Sequence, residues 1–175
     1  MNTSENIRPV TLLVAVASRH DATREIGAFV ATRLRESGFH VDLEEVTDDL
    51  AVGGYDGVIV GSAVYYGRWL PSARAFAARH SAALSLRSVW LFSCGPLGDP
   101  AVPAEPSPDG DRIRDATLAR DHVVFAGRLD AGALKVRERA VVRVVGAQSG
   151  DFRDWDAIRT WADGIASELV VQSMP

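Results

Sequence analysis

The apolar residues of this chain gather in short runs separated by polar turns. Leu12 to Ala17 is one such run without alternation, the pattern of a strand buried on both faces. Past a polar turn, Ile26, Phe29, Val30 and Leu34 share one helical face, which predicts a helix over 23–37 with Gly38 as its stop. FHVDLEEV (39–46) alternates Phe39, Val41 and Leu43 against polar neighbours and reads as a second strand. GVIVG (57–61), SVWLFS (88–93) and HVVFAG (122–127) read as three more apolar strands. Pro71 is placed to open a helix that runs to about Leu84. Ile158, Trp161, Ala162, Ile165 and Leu169 form the apolar stripe of a last helix from about 154 to 170, with Asp151 and Asp154 as candidate caps. Trp155 and Trp161 are expected to pack with that helix.

Five strands alternating with helices imply an α/β protein with a parallel sheet covered on both faces. Nothing in the pattern repeats or marks a second domain, so residues 1–175 are expected to form one unit. Two segments depart from the alternation. Residues 95–111 hold five of the eight prolines and are expected to form a long, irregular, solvated loop. Residues 131–150 fit both a strand and a helix pattern and carry four basic residues against one acid.

Composition narrows the function class. With 47% hydrophobic and 24% charged residues the chain is ordinary for a globular protein. A net charge of −4 argues against a nucleic-acid binder. A single cysteine, Cys94, rules out an internal disulfide framework. The chain opens without a signal-peptide pattern and has no apolar run of membrane-spanning length, so a cytoplasmic protein is expected.

In an open parallel sheet, ligands bind beyond the carboxyl ends of the strands. Three loops qualify: SRHDAT (18–23), GSAVYYGRW (61–69) and SCGPLG (93–98). The first places Ser18 and Thr23 at a strand end and a helix start, where free N–H groups favour an anion. Arg19 adds charge and His20 a donor. The loop has neither a Walker nor a dinucleotide fingerprint, and its spacing is equally that of a plain helix cap. In the second loop Tyr65 is the candidate to stack on a flat ring, while Trp69 is expected to pack over the helix that Pro71 begins. In the third, Gly95 and Gly98 permit close backbone approach to a ligand. Cys94 has the features of a small packed residue rather than of a nucleophile. The four histidines lack metal-ligand spacing. His80 is expected to be exposed on a helix, and His122 to hydrogen-bond only locally.

Taken together, the stretches VASRHDATREI, YDGVIVGSAVYYGRW, ARAFAARHSAAL, HVVFAGRLD and DFRDWDAIRTWADGIA resemble the flavodoxin family. More narrowly, they resemble its menaquinone-dependent protoporphyrinogen IX oxidase branch, over about residues 11–168. The resemblance implies a three-layer sandwich with a five-stranded parallel sheet in the order 2-1-3-4-5. It implies FMN, with the phosphate on Ser18, Arg19, His20, Asp21, Ala22 and Thr23. The flavin ring would lie between Ser62, Ala63, Val64 and Tyr65 on one side and Ser93, Cys94, Gly95, Pro96 and Leu97 on the other. In that branch the flavin takes electrons from a porphyrinogen and passes them to a quinone. The branch also carries a late insertion, here 131–150, whose basic character suits a peripheral contact with anionic lipid and equally a solvated helix.

One position departs from the family. Flavodoxin-like phosphate loops usually have glycine where this chain has Asp21. A carboxylate beside a phosphate costs about 1 kcal/mol in water and several times that in a less polar site. This predicts weakened FMN binding. Two readings therefore follow: an FMN-dependent oxidoreductase, or a flavodoxin-fold binding module that has lost its cofactor. A simple electron carrier is a further variant, and Arg19 and Arg68 near the site count against it.

Overall fold

The computed structural model describes residues 8–95, 107–129 and 150–172. Its elements are β1 (Thr11–Ala17), α1 (Ala22–Glu36), β2 (His40–Glu45), β3 (Gly57–Tyr65), β4 (Arg68–Trp69) and α2 (Pro71–Leu84). They continue with β5 (Ser88–Cys94), α3 (Pro108–Thr117), β6 (Asp121–Phe125), β7 (Arg128–Leu129), β8 (Gly150–Asp151) and α4 (Trp155–Gln172). Strands β1, β2, β3, β5 and β6 are parallel neighbours in the order β2-β1-β3-β5-β6. With the two-residue β4 left out of the count, this is the expected 2-1-3-4-5.

The unbroken apolar runs now have their reason. In β1, Leu12, Val14 and Val16 pack into one core cluster with Ile26, Val30 and Leu34 of α1 and with Ile158, Ala162 and Ile165 of α4. Leu13, Ala15 and Ala17 face the other way, into a cluster with Ala73, Phe76 and Leu84 of α2 and Ile113 of α3. Both faces of the strand are covered, so neither set of positions is polar. Burying each large aliphatic side chain here contributes about 1.5–3 kcal/mol. Trp155 and Trp161 pack against the first cluster as partly buried residues.

Three features differ from the sequence expectation. First, part of the segment read as a solvated loop is helical. Residues 96–106 lie outside the described residues, but Pro108–Thr117 is a helix and Asp109 within it is buried. The Ser107 hydroxyl accepts from the Asp109 N–H, Pro108 occupies the first turn, and Asp109 and Asp111 favour the positive end of the helix dipole. Second, β3 runs on to Tyr65 and turns back at once as β4, pairing Val64 with Trp69 and Tyr65 with Arg68. Third, β7 and β8 form an antiparallel ribbon that brackets 130–149. The expected insertion at 131–150 lies outside the described residues except for Gly150.

At α4, Asp154 is the cap. Its Oδ1 accepts from the N–H groups of Asp156 and Ala157. Asp151 instead pairs with Arg153 at 2.6 Å.

Candidate functional site

The carboxyl ends of β1, β3 and β5 bring the three candidate loops side by side, because these strands are adjacent in register. Ala17 lies opposite Ser62, and Ala63 opposite Cys94.

The first loop ends in an unusual backbone. Asp21, the residue before α1, has φ 58° and ψ −26°, and its side chain makes no capping hydrogen bond. This is the left-handed region, which Asp tolerates better than most residues and glycine better still. The carboxylate thus makes none of the hydrogen bonds with helix N–H groups that an Asp at this position usually makes. Ser18 carries the second signal. Its Oγ is buried and has no hydrogen-bond partner among the described residues. A buried hydroxyl left unpaired costs about 1–3 kcal/mol, so such a group calls for a missing partner. A phosphate oxygen at the N-terminus of α1 would supply one, and in that respect the residues present fit FMN. Arg19 and His20 both turn towards Tyr65. The Arg19 guanidinium lies 5.0 Å over the Tyr65 ring, and the His20 ring is 6.1 Å from it, centre to centre. The first and second loops therefore meet through the side chain expected to stack on a ring.

Thr23 and Cys94 meet beneath the loop. Both Thr23 and Cys94 are buried. Burial pushes the Cys94 thiol up to about 11, against the pull of Thr23 and of Arg153. Such a thiol stays protonated and is a poor nucleophile.

The two serines expected near the ring are held within the protein. Ser62 Oγ accepts from the N–H of Leu70 at 3.1 Å and donates to the carbonyl of Ala63 at 2.9 Å. Ser93 Oγ accepts from Trp69 Nε1 at 2.7 Å and lies 2.8 Å from His122 Nε2. These bonds tie β3, β4, β5 and β6 together at the edge of the site. Gly95 was expected to let the backbone approach a ligand; in the structure its close neighbour is Val64, since a Cβ on Gly95 would lie 2.7 Å from Val64 Cβ. Ala63 is buried, Val64 and Tyr65 are half-buried, and Ala22 begins α1. Pro96 and Leu97 lie outside the described residues.

Sequence reasoning missed the layer beneath the loops. His122 does not bond only locally. It crosses to Ser93, and its Nδ1 is 3.7 Å from Asp111. Burial holds it below its ordinary value, with Asp111 opposing. His80 is likewise part-buried, its Nε2 3.0 Å from the Leu50 carbonyl. Asp109 was also missed. Burial alone would raise its carboxyl, but the Arg68 hydrogen bond at 2.7 Å and the Trp69 N–H at 3.0 Å hold it below the usual range. A third group is Arg153, whose side chain is 3% exposed and joins Glu25 of α1 to Asp151 of β8, each at 2.6 Å. The Ser107–Pro108 helix start is the sequence signal that could have found Asp109.

The comparisons with known proteins agree with this geometry. The family model described as a flavodoxin domain matches residues 13–156. The protoporphyrinogen IX dehydrogenase [quinone] of Escherichia coli strain K12 is 22% identical, covering 88% of this chain and 93% of the relative. Among solved structures, a flavodoxin of Streptococcus pneumonia TIGR4 is similar at TM-score 0.59 and 20% identity, over 93% of this chain and 99% of that one. Rubredoxin oxygen:oxidoreductase from Desulfovibrio gigas is similar at TM-score 0.65 and 13% identity. It covers 96% of this chain, which spans 38% of that larger protein.

Proposed function

Because the chain belongs to the flavodoxin domain family, whose members bind FMN, we propose that it is an FMN-dependent oxidoreductase. The observation that carries this reading is the buried hydroxyl of Ser18, in the loop between β1 and α1, which has no hydrogen-bond partner among the described residues. Ser18, Ala22 and Thr23 would hold the phosphate through the hydroxyl of Ser18 and the backbone at the helix N-terminus. Tyr65 and the backbone of Ala63, Val64, Cys94 and Gly95 would flank the ring. Bound FMN supplies two-electron redox chemistry, so no general base is assigned to the protein. The chain's own residues bind, orient and exclude water. The bonds of Ser62 and Ser93 to Leu70, Trp69 and His122 keep the ring loops in place.

A quinone as electron acceptor, and protoporphyrinogen IX as donor, are the finer form of the proposal. The relative from E. coli, a protoporphyrinogen IX dehydrogenase [quinone], supports both.

The test is to titrate FMN into the purified protein and follow flavin fluorescence. Saturable binding is expected, weakened roughly tenfold by Ser18→Ala, the scale of a hydrogen bond to a charged group. No saturable binding would overturn the enzyme. It would favour the second reading, a binding module, for which the acidic Asp21 in the proposed phosphate loop is the supporting observation.

A further inference from the structure

Three arginines from three elements converge on one buried carboxylate beside the ring loops. Asp109 of α3 has a side chain only 5% exposed. Arg68 of β4 donates to it through Nε at 2.7 Å, Arg74 of α2 comes to 3.9 Å, and Arg112 of α3 also comes to 3.9 Å. The three guanidinium side chains stay exposed, at 48%, 40% and 71%. Asp109 cancels one of the three positive charges and anchors the group from below. Asp111, the next acid on α3, lies instead 3.7 Å from His122. Among the described residues, a local excess of positive charge thus sits on the surface of a chain whose net charge is −4.

This patch is tied to the candidate flavin site by the backbone. Arg68 is the register partner of Tyr65, and the turn between them is Tyr66–Gly67, with φ 50° and 71°. Positive φ at Tyr66 is a strained conformation for an aromatic residue, and Tyr66 is 76% exposed, so its own burial does not hold it there. The tight turn keeps Arg68 directly across the hairpin from the ring-stacking candidate. Convergence on a single carboxylate suits a compact anion rather than an extended acidic surface, and guanidinium groups bind carboxylates and similar anions with two parallel donors.

We infer that Arg68, Arg74 and Arg112 form an anion subsite that holds a compact anionic group, a carboxylate or its sulfonate analogue, of the small molecule that exchanges electrons with the flavin. This rests on the oxidoreductase reading, and two measurements separate the two.

In the first, tricarballylate is titrated into the flavin-free protein while the arginine Nε–H signals are followed by NMR. The signals of Arg68, Arg74 and Arg112 are expected to shift saturably, and those of Arg8 and Arg159 are not. Equal shifts at all five, or none, would overturn the subsite whether or not FMN binds. In the second, the FMN-loaded protein is reduced with dithionite and reoxidised by menadione or by a naphthoquinone sulfonate. Arg112→Gln and Arg74→Gln are used, since both contacts with Asp109 are long and Arg68 remains to pair it. Each is expected to raise the half-saturating concentration of the sulfonate roughly tenfold and to leave menadione unchanged. Equal effects on both quinones, or an effect on neither, would overturn the assignment to the substrate.

Discussion

Asp21 shows how much one residue can shift a site. Its φ of 58° is where a flavodoxin-like loop favours glycine, and the charge it adds stands where a phosphate is proposed. Asp21→Gly is expected to tighten FMN binding about fivefold, the equivalent of ~1 kcal/mol of relieved repulsion. Unchanged affinity in a flavin-fluorescence titration would show that the carboxylate points clear of the ligand. His122 gives a pH prediction. Burial holds its folded-state pKa below the ordinary 6.5. Between 6.5 and that lower value the unfolded chain binds a proton that the folded chain does not. Stability is therefore full above pH 6.5 and falls as pH drops through that window, by at most about 1.4 kcal/mol per pH unit. Urea midpoints measured across the window should fall for the native chain and stay flat for His122→Gln. Carboxyls held low by arginines, such as Glu25 and Asp151, titrate at lower pH and do not mask the effect.

At the scale of elements, α3 locks onto the sheet through the absence of a side chain. A Cβ on Gly110 would lie 1.9 Å from the His122 ring, so the helix approaches β6 only because this residue is glycine. Elsewhere in a helix, Gly→Ala stabilises by up to about 1 kcal/mol. Here Gly110→Ala is expected to destabilise by roughly 1–3 kcal/mol through overpacking. The check is the urea midpoint of the variant, alone and combined with His122→Ala. The second change should recover part of the loss, since it removes the ring that clashes. Additive losses would mean that α3 is placed by other contacts. The five prolines of 95–111 hid the start of this helix in the sequence. A proline-rich stretch reads as loop, although Ser107, Pro108 and Asp109 together spell a helix start.

For the molecule as a whole, the sheet separates two cores, and the site lies where both end. Arg153 lies on one side of that sheet, pairing with Glu25 of α1 and Asp151 of β8 and lying 4.5 Å over the ring of Trp155, which packs on the core beneath α1 and α4. The hydrogen bonds it donates to Asp151, and then to Glu25, raise its pKa still further against the effect of burial. Removing the guanidinium leaves both carboxylates without their main partner. Arg153→Gln is expected to cost about 2 kcal/mol, read as a lower thermal midpoint at low and high salt alike. A loss that disappears in high salt would mark the cluster as a solvent-screened surface pair.

Much of this protein was legible in its sequence. Runs such as Leu12 to Ala17, flanked by helical spacing, determined a covered parallel sheet, because a strand with two apolar faces is stable only between two layers. The loops at the strand ends followed from the same pattern, since strand direction fixes which ends point together. Period and spacing are local, and the local signal survives folding. The tertiary structure alone decided the partners. It turned Ser62 and Ser93 inward to Leu70, Trp69 and His122, set Val64 against Gly95, left Ser18 without a partner, and drew Arg68, Arg74 and Arg112 onto Asp109. Those contacts join residues up to 41 positions apart. Their distances are set by how the layers pack, and no pattern along the chain encodes that.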